Sequence, residues 1–216
     1  LVKKSIAATN PAAKVQIESY NQRSQDMTSQ VARLQRSQVD AILVVGLGAD
    51  FAVIRKNMSR ANVKVPLFGS TGAVTAPYLE GAGDLAIGTR SVSPDAFGKR
   101  PLSAYAQNFV DQYRAAHGTD RWYGSDAANP QISMAAIVGN AYDCAVVLLD
   151  AIRRAGSTEP AAVIAALNQT KGLAGIAVPS ITLTAQIHEA FKPEDLGLFE
   201  INKSAAGALY LKPVVE

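Results

Sequence analysis

The chain has 216 residues, of which 48% are apolar and 18% charged, a composition typical of a globular protein with a sizeable core. Its net charge is +3, and its basic residues are scattered among few aromatic ones, which excludes the dense basic face of a nucleic-acid-binding protein. No apolar run reaches the length of a membrane span, so direct membrane insertion is not expected.

The first half of the chain predicts alternating strands and helices. Residues 1–10 have the pattern of a helix that ends at Asn10-Pro11, and Asp26 is a suitable cap for a second helix. Residues 39–46 are typical of a strand buried on both faces of a parallel sheet. The predicted elements are strands at 13–20, 39–46, 65–70 and 85–92, helices at 27–38 and 50–61, and a loop at 71–78. This order predicts an α/β unit, a mainly parallel sheet flanked by helices.

From residue 93 the pattern changes to long helices followed by β structure. Helices are predicted at 102–116, 131–155 and 159–170, and residues 176–211 are predicted to be β-rich, with a hairpin around 203–207. These helices have no sheet of their own to cover, and the first unit begins with half a helix. We therefore expect that an N-terminal portion carrying their sheet is missing from this chain.

Cysteine and histidine are too sparse for most catalytic chemistry. The single Cys144 excludes an internal disulfide, and its apolar helical surroundings predict a small buried core residue. His117 and His188 are far apart in sequence and lack the spacing of zinc ligands. We expect no metal, no cofactor and no set of nucleophile, base and acid, and therefore no enzyme.

The stretch Gly46-Leu47-Gly48 is similar to the opening of a dinucleotide fingerprint. That fingerprint requires a third glycine where this chain has Phe51, and Asp50 would repel a pyrophosphate at the helix N-terminus. The next strand ends at Gly69-Ser70-Thr71-Gly72, without the acid that holds a ribose. We therefore interpret the two glycine-rich strand ends as one wall of a ligand cleft. The structural alternative is two tight turns in which Asp50 and Thr71 cap helices.

The sequence of residues 18–72, "ESYNQRSQDMTSQVARLQRSQVDAILVVGLGADFAVIRKNMSRANVKVPLFGSTG", indicates a protein family. It resembles the second lobe of the branched-chain amino acid class of periplasmic binding proteins, the type I solute receptors of ABC importers. "EGAGDLAIGT" (80–89) and "AYDCAVVLLDAIRRAGS" (141–157) are similar to later segments of that family. The resemblance covers nearly the whole chain.

The resemblance implies a type I periplasmic-binding-protein fold, in which two lobes joined by a hinge close on a solute, with lobe 1 incomplete in this chain. Residues 1–92 would be the α/β unit of lobe 2, residues 93–172 the hinge connector and helices of lobe 1, and residues 173–216 a C-terminal β-rich segment near the hinge and lobe 2. The implied protein is a monomeric receptor, periplasmic or tethered outside a Gram-positive cell, that delivers a small-molecule solute to an ABC importer permease.

The resemblance also implies where the solute binds. The candidate ligand residues are Leu47, Gly48, Ser70, Thr71, Gly72 and Tyr142. For Tyr142, core packing is the alternative role. The residues with which the family binds the solute's carboxylate would lie upstream, in lobe 1.

The expected solute is a small carboxylate-bearing molecule, either an amino acid or an aromatic or aliphatic acid. Amino-acid binders of the family hold the ligand's ammonium with an acid near the position of Thr71 and cover it with an aromatic residue at that of Leu47. An ammonium is costly to bury without a counter-charge, so a less polar acid fits this wall better. Asp50 is a substitute acid, although capping its own helix is its expected role.

Two other classes of protein are alternatives to a transport receptor. One is the ligand-sensing domain of a transcription regulator or membrane receptor with the same fold. The other is a nucleotide-dependent enzyme, which Phe51 and Asp50 disfavour. Trp122 and Tyr123, in a polar loop, are candidates for ligand or partner contact or for anchoring the loop, and His188 is expected at the surface.

Overall fold

The computed structural model describes residues 2–94, 102–117, 135–205 and 207–214. The described helices are α1 (Val2–Thr9), α2 (Thr28–Arg36), α3 (Gly48–Arg60), α4 (Ala76–Ala82), α5 (Ala104–His117), α6 (Ala135–Ala155) and α7 (Pro160–Leu167). The strands are β1 (Ile42–Val44), β2 (Leu67–Gly69), β3 (Arg90–Pro94), β4 (Leu196–Lys203) and β5 (Leu209–Pro213), and short 3₁₀ turns cover Thr71–Val74, Gly83–Ala86 and Pro193–Asp195.

The five strands form one mixed sheet in the order β1-β2-β3-β4-β5. β1, β2 and β3 run parallel and are joined by α3 and α4, as the predicted α/β unit requires. β4 pairs antiparallel with β3 and β5 with β4, so the predicted C-terminal hairpin extends the sheet of the first unit. The predicted α/β class with flanking helices is confirmed, and the sheet is mixed, because β1-β2-β3 pair in parallel and β3-β4-β5 pair antiparallel.

One face of the sheet carries the main core. α3 begins at Gly48, and its residues Phe51, Ile54 and Met58 fall on one helical stripe and are all buried. Tyr78 of α4 is fully buried, and its ring lies 5.6 Å from that of Phe51. These residues position the start of α3 firmly at the carboxyl end of β1.

The opposite face of the sheet is exposed in this chain. Leu43 is 50% exposed on β1, Val45 just beyond it 67%, and Val92 on β3 50%. The prediction that residues 39–46 are buried on both faces is therefore wrong: Ile42 and Val44 face the core and Leu43 does not. β1 is also an edge strand among the described residues, because only β2 pairs with it.

Four predicted segments differ from the structure. The strand predicted at 85–92 begins only at Arg90, because a 3₁₀ turn covers Gly83–Ala86. Residues 13–20 form no strand, since no described strand pairs with them and Ile17 is 69% exposed. Residues 71–78 are not a loop but a 3₁₀ turn followed by the start of α4, where Pro77 fits because the first helical turn needs no bonded N–H. Of residues 176–183, only Ile181 takes part in β pairing, as an isolated bridge to Leu173.

Asp143 explains why residues 176–183 do not form a strand. Its buried carboxylate accepts the backbone N–H groups of Ile176 at 2.7 Å, Ala177 at 2.8 Å and Val178 at 3.1 Å. These N–H groups are therefore unavailable to a neighbouring strand. The carboxylate instead fastens this segment to the middle of α6.

The predicted helices at 102–116, 131–155 and 159–170 are present as α5, α6 and α7, although residues 131–134 lie outside the described residues. α6 is apolar around most of its circumference. Val147 and Ala151 are buried on one side, whereas Ile137 and Leu148, eleven residues apart on a second stripe, are 46% and 47% exposed. Cys144 lies on this second stripe and is exposed, so its predicted core position is wrong.

Candidate functional site

A cleft of about 550 Å³ lies at the carboxyl ends of β1 and β2. This is the edge of a parallel sheet at which α/β proteins bind ligands. Its lining residues come from the segment before α2, the end of β1, the first turn of α3 and the end of β2. They are Glu18, Ser19, Tyr20, Gln22, Val45, Gly46, Leu47, Asp50 and Ser70.

The glycines of this edge allow close packing of backbone on backbone. A Cβ on Gly72 would overlap the carbonyl oxygen of Gly46, and a Cβ on Gly48 would overlap Thr75 Oγ1 and lie 3.0 Å from Tyr78 N. A Cβ on Gly46 would overlap the hydroxyl of Tyr20. The glycines therefore bring the two strand ends into contact, and a phosphate cradle is not needed to explain them.

The ends of the three parallel strands are also joined by hydrogen bonds. Ser70 N donates to Val44 O at 3.1 Å, and Ser91 Oγ donates to Ser70 O at 2.9 Å. Ser70 is thus held at the mouth of the cleft by β1 on one side and by β3 on the other.

The alternative in which Asp50 and Thr71 cap helices is wrong. The residue at the N-cap of α3 is Leu47, that of the following 3₁₀ turn is Ser70, and neither turn has a side-chain cap. Asp50 instead reaches a distant loop, where its Oδ1 accepts the backbone N–H of Arg23 at 2.9 Å. The left-handed backbone of Arg23, at φ 63°, turns that N–H toward the carboxylate.

Asp50 is 2% exposed and lies between the cleft and the core. Its neighbour Tyr20 donates from its hydroxyl to Val45 O at 3.4 Å. Burial raises the pKa of the Tyr20 hydroxyl, and the negative charge of Asp50 raises it further. Tyr20 is therefore a neutral hydrogen-bonding group of the cleft wall.

Glu18, the second acid of the cleft, has a partner. Arg33 Nε lies 2.7 Å from Glu18 Oε2, and Gln16 Nε2 donates to Oε1 at 2.8 Å. The bond from Arg33, followed by that from Gln16, lowers the pKa of Glu18. The charge of Glu18 is thus balanced by residues at the rim.

The structure brings only part of the predicted ligand set into the cleft lining. Leu47, 54% exposed, and Ser70 line the cleft. Thr71 and Gly72 follow Ser70 in the chain, and Gly48 is buried behind the wall against Thr75. The assignment of these residues to a ligand stays a prediction.

Tyr142 lies in an aromatic cluster on α5 and α6. Its ring is 4.7 Å from that of Phe109, and the hydroxyl of Tyr105 donates to its hydroxyl at 3.3 Å. That hydrogen bond, together with burial, raises the pKa of Tyr105 to about 12. These contacts are those of a packing residue, and Tyr142 is not among the described residues that line the cleft.

Sequence reasoning missed Glu18, Ser19, Gln22 and Val45 as lining residues and named Tyr20 only as part of a segment. The alternating pattern of residues 13–20 predicts a strand, and a strand pattern gives no indication that side chains at its end line a cleft. A usable indication was present: the polar run from Glu18 to Gln22 lies shortly before α2, which is followed by β1 and its glycine-rich end. Trp122 and Tyr123 lie outside the described residues, and His188 is exposed, as expected.

Within residues 2–94, 102–117, 135–205 and 207–214, no three His, Cys, Asp or Glu side chains are grouped as metal ligands would be. Over the same residues, no helix combines the length and apolar character needed to cross a membrane.

Comparisons with known proteins agree on one family. A sequence model described as "periplasmic binding protein" matches residues 1–206. No curated protein sequence matches the chain. Among solved structures, a type 1 periplasmic binding protein of Bordetella pertussis Tohama I is 45% identical, with a TM-score of 0.86 over 97% of this chain and 56% of its own.

Two more distant structures share the fold. The leucine-binding protein LivK of Thermotoga maritima is 19% identical, with a TM-score of 0.71 over 96% of this chain and 53% of its own. LivJ of Streptococcus pneumoniae, the substrate-binding protein of a branched-chain amino acid transporter in complex with isoleucine, is 18% identical, with a TM-score of 0.70 over 99% of this chain and 56% of its own. The chain thus spans a little over half the length of these three solved chains.

Proposed function

Because the chain belongs to the periplasmic binding protein family, we propose that it is part of an extracytoplasmic solute receptor that supplies an ABC importer. The family and the structures it resembles are substrate-binding proteins and not enzymes. The observation that carries the proposal is the cleft at the carboxyl ends of β1 and β2, at the sheet edge where this fold class binds ligands. The receptor binds its solute and releases it unchanged.

The proposed solute is a small carboxylate-bearing molecule, an amino acid or an aromatic or aliphatic acid. Among the residues that the structure describes, the cleft lining contains no Lys, Arg or His, so these residues offer the solute's carboxylate no counter-charge. We assign the carboxylate to the opposing lobe. The exposed side chains of Val45 and Leu47 offer the apolar part of the solute a surface on this lobe.

The proposed ligand residues are those named from the sequence. Leu47 and Ser70 form the wall, and Gly48, Thr71 and Gly72 shape the backbone behind and beside it. Tyr142 would contact the solute or the hinge only in the form in which the lobes have closed.

The proposed division of the chain follows the distribution of its cores. Residues 1–92 form lobe 2, residues 93–172 the hinge connector and the helices of lobe 1, and residues 173–216 the C-terminal segment. In support, the largest buried cluster draws its residues from 27–86 plus Ile201 of β4, whereas α5, α6 and α7 form separate small clusters. Two such bodies joined by a hinge can close on a solute that lies between them.

The first test is mass spectrometry of the full-length protein, purified without denaturation and recorded in native and denatured form. We expect the native mass to exceed the denatured mass by that of one small carboxylate-bearing solute. A Leu47→Trp substitution would fill the cleft and abolish the extra mass, whereas Leu43→Trp, on an exposed site outside the cleft lining, would retain it. Retention of the solute by both variants would contradict this site.

A second measurement tests delivery. Cells lacking the receptor gene should lose uptake of the identified solute, and expression of the wild-type receptor, but not of Leu47→Trp, should restore it. Unchanged uptake together with binding to a DNA fragment would instead favour the regulator class.

A further inference from the structure

The connection that leads from the helices back to the sheet is short. At one end of it, Phe191 packs against the small buried cluster that contains Val147 of α6. At the other end, Leu196 begins β4 and pairs with Pro94 of β3. Residues 192–195 are therefore all that separates a side chain packed on the helices that we assign to lobe 1 from a backbone fixed in the sheet of lobe 2.

These four residues form a turn in which one pair of residues is bonded twice. Asp195 N donates to Lys192 O at 2.9 Å, and Asp195 Oδ2 accepts the backbone N–H of Lys192 at 3.0 Å. Reciprocal bonds of this kind hold the first turn of a helix in a capping box. Pro193 is the first residue of the 3₁₀ turn, and its ring fixes its φ. The turn is therefore a stiff block within a short connection.

Any rotation of one body against the other has to be absorbed between Phe191 and Leu196. Packing holds the chain at Phe191, and the ladder of β3 and β4 holds it at Leu196. In a hinge closure, a few residues between such rigid elements take up the change in φ and ψ. Because the carboxylate of Asp195 bonds the N–H of Lys192, it limits how far the start of this connection can bend.

We infer that the turn at 192–195 is a hinge of this receptor and that Asp195 is the positioning residue that sets its stiffness. This inference rests on the two-lobe division proposed above. Asp195 is not among the described residues that line the cleft, so it acts on the solute only through the relative positions of the lobes. A looser hinge spreads the solute-free receptor over more lobe arrangements, which lowers the fraction that is competent to bind and with it the apparent affinity.

The experiment measures the distance between two spin labels in the full-length protein, after its solute has been removed. The labels are attached at Lys56→Cys on α3 and at Lys171→Cys after α7, both exposed in the structure, in a protein whose other cysteines are replaced by Ala. Double electron–electron resonance gives the distribution of distances between the labels. We expect Asp195→Ala to widen this distribution by about one half or more, because the turn loses one of its two bonds.

Three matched variants make the test specific. Asp195→Asn keeps an oxygen that can accept the N–H of Lys192 and should retain the width of the wild type. Pro193→Gly frees the fixed φ and should widen the distribution, so the hinge remains testable even if Asp195→Ala fails to fold. Glu189→Ala removes an exposed acid shortly before the turn, leaves both bonds of the turn in place, and should not change the width.

The possible outcomes separate the claims. An unchanged width in Asp195→Ala, even with a lower midpoint of thermal unfolding, shows a purely structural role and overturns the role of Asp195. An unchanged width in Pro193→Gly overturns the hinge itself, as does equal widening in Glu189→Ala. None of these results affects the receptor function, which fails only if native mass spectrometry finds no bound solute in the wild-type protein.

Discussion

Single residues at the cleft show where local sequence rules were sufficient and where they were not. The glycines of "VVGLG" and "GSTG" indicated a special backbone arrangement, and the structure shows close contact between the two strand ends. Asp50 was expected to cap its own helix because it lies in the first turn, but its partner is the N–H of Arg23, 27 residues away. Hydrogen bonds over such a separation leave no local pattern, so the sequence could not predict this one.

Replacing Gly72 with Ala tests the contact between the strand ends. The added Cβ would overlap Gly46 O, a backbone atom that cannot rotate away, so we expect the free energy of unfolding to fall by about 1–3 kcal/mol. Urea denaturation measures this value. The exposed Ala49→Ser, on the same edge, serves as the control and should differ from the wild type by less than about 0.5 kcal/mol. Equal stability of Gly72→Ala and the wild type would show that the strand ends are not tightly packed.

In the second half of the chain, replacing Asp143 should lower the free energy of unfolding, because its carboxylate anchors residues 176–178. Asp143→Ala would leave the buried N–H groups of Ile176, Ala177 and Val178 without their acceptor, and we expect a loss of about 2–4 kcal/mol in unfolding free energy. Denaturation followed by circular dichroism measures the loss. Asp84→Ala is the control, since it breaks only an exposed pair with Lys203 and should cost less than about 1 kcal/mol. Similar values for the two variants would contradict the anchoring role of Asp143.

At the scale of elements, amphipathic helices were predicted well and isolated strands poorly. The spacing of Phe51, Ile54 and Met58 identifies the buried stripe of α3 whatever surrounds it. A strand forms only where another strand pairs with it. Residues 13–20 alternate between apolar and polar side chains but have no paired strand among the described residues. Residues 176–178 donate their N–H groups to the side chain of Asp143 instead of to a strand. The hairpin of β4 and β5 was recognisable because its two strands pair with each other.

The pairing of β4 with β3 predicts a weak dependence of stability on pH. Glu200 lies opposite Arg90, and the bond from Arg90 Nε at 2.9 Å lowers the pKa of Glu200 below its ordinary value of 4.5. A lowered folded-state pKa means that this contribution is present above pH 4.5 and is lost as the pH falls through the folded-state value. Because the pair is partly exposed, the contribution should be below about 1 kcal/mol.

Urea denaturation at pH 7 and at acid pH measures this contribution. Glu200→Gln should lose less stability on acidification than the wild type does. Glu189→Gln, an exposed acid in the segment before β4, controls for the general effect of removing a negative charge. An unchanged acid dependence in Glu200→Gln would rule out a contribution from this pair.

For the whole molecule, the sequence predicted the family, and the sequence model and the solved structures agree with it. The ligand was not predictable in the same way, since the residues that line the cleft come from four separate segments. The composition of α6 also did not indicate its exposed side. The helix is apolar around most of its circumference, which is typical of a buried element.

The exposed stripe of α6 gives a prediction at this scale. In the 216-residue chain, Leu148→Lys should lower the fluorescence of a dye that binds apolar surface, because Leu148 is 47% exposed. In the full-length protein, where we propose that the sheet of lobe 1 covers this stripe, the same substitution should destabilise by about 2–4 kcal/mol. Arg153→Ala, exposed near the end of the same helix, should do neither. A harmless Leu148→Lys in the full-length protein would contradict the proposed covering.

The mixed sheet has a consequence for the order of events on the ribosome. β3 is complete by residue 94, but its antiparallel neighbour β4 begins at Leu196, and the contact between Arg90 and Glu200 spans 110 residues. That edge of the sheet therefore stays open until the emerging chain has reached Leu196 and β4 can form. During that interval the unpaired side of β3 is open to other nascent chains. Slowing translation between β3 and β4 should lengthen the interval and increase the demand for chaperones.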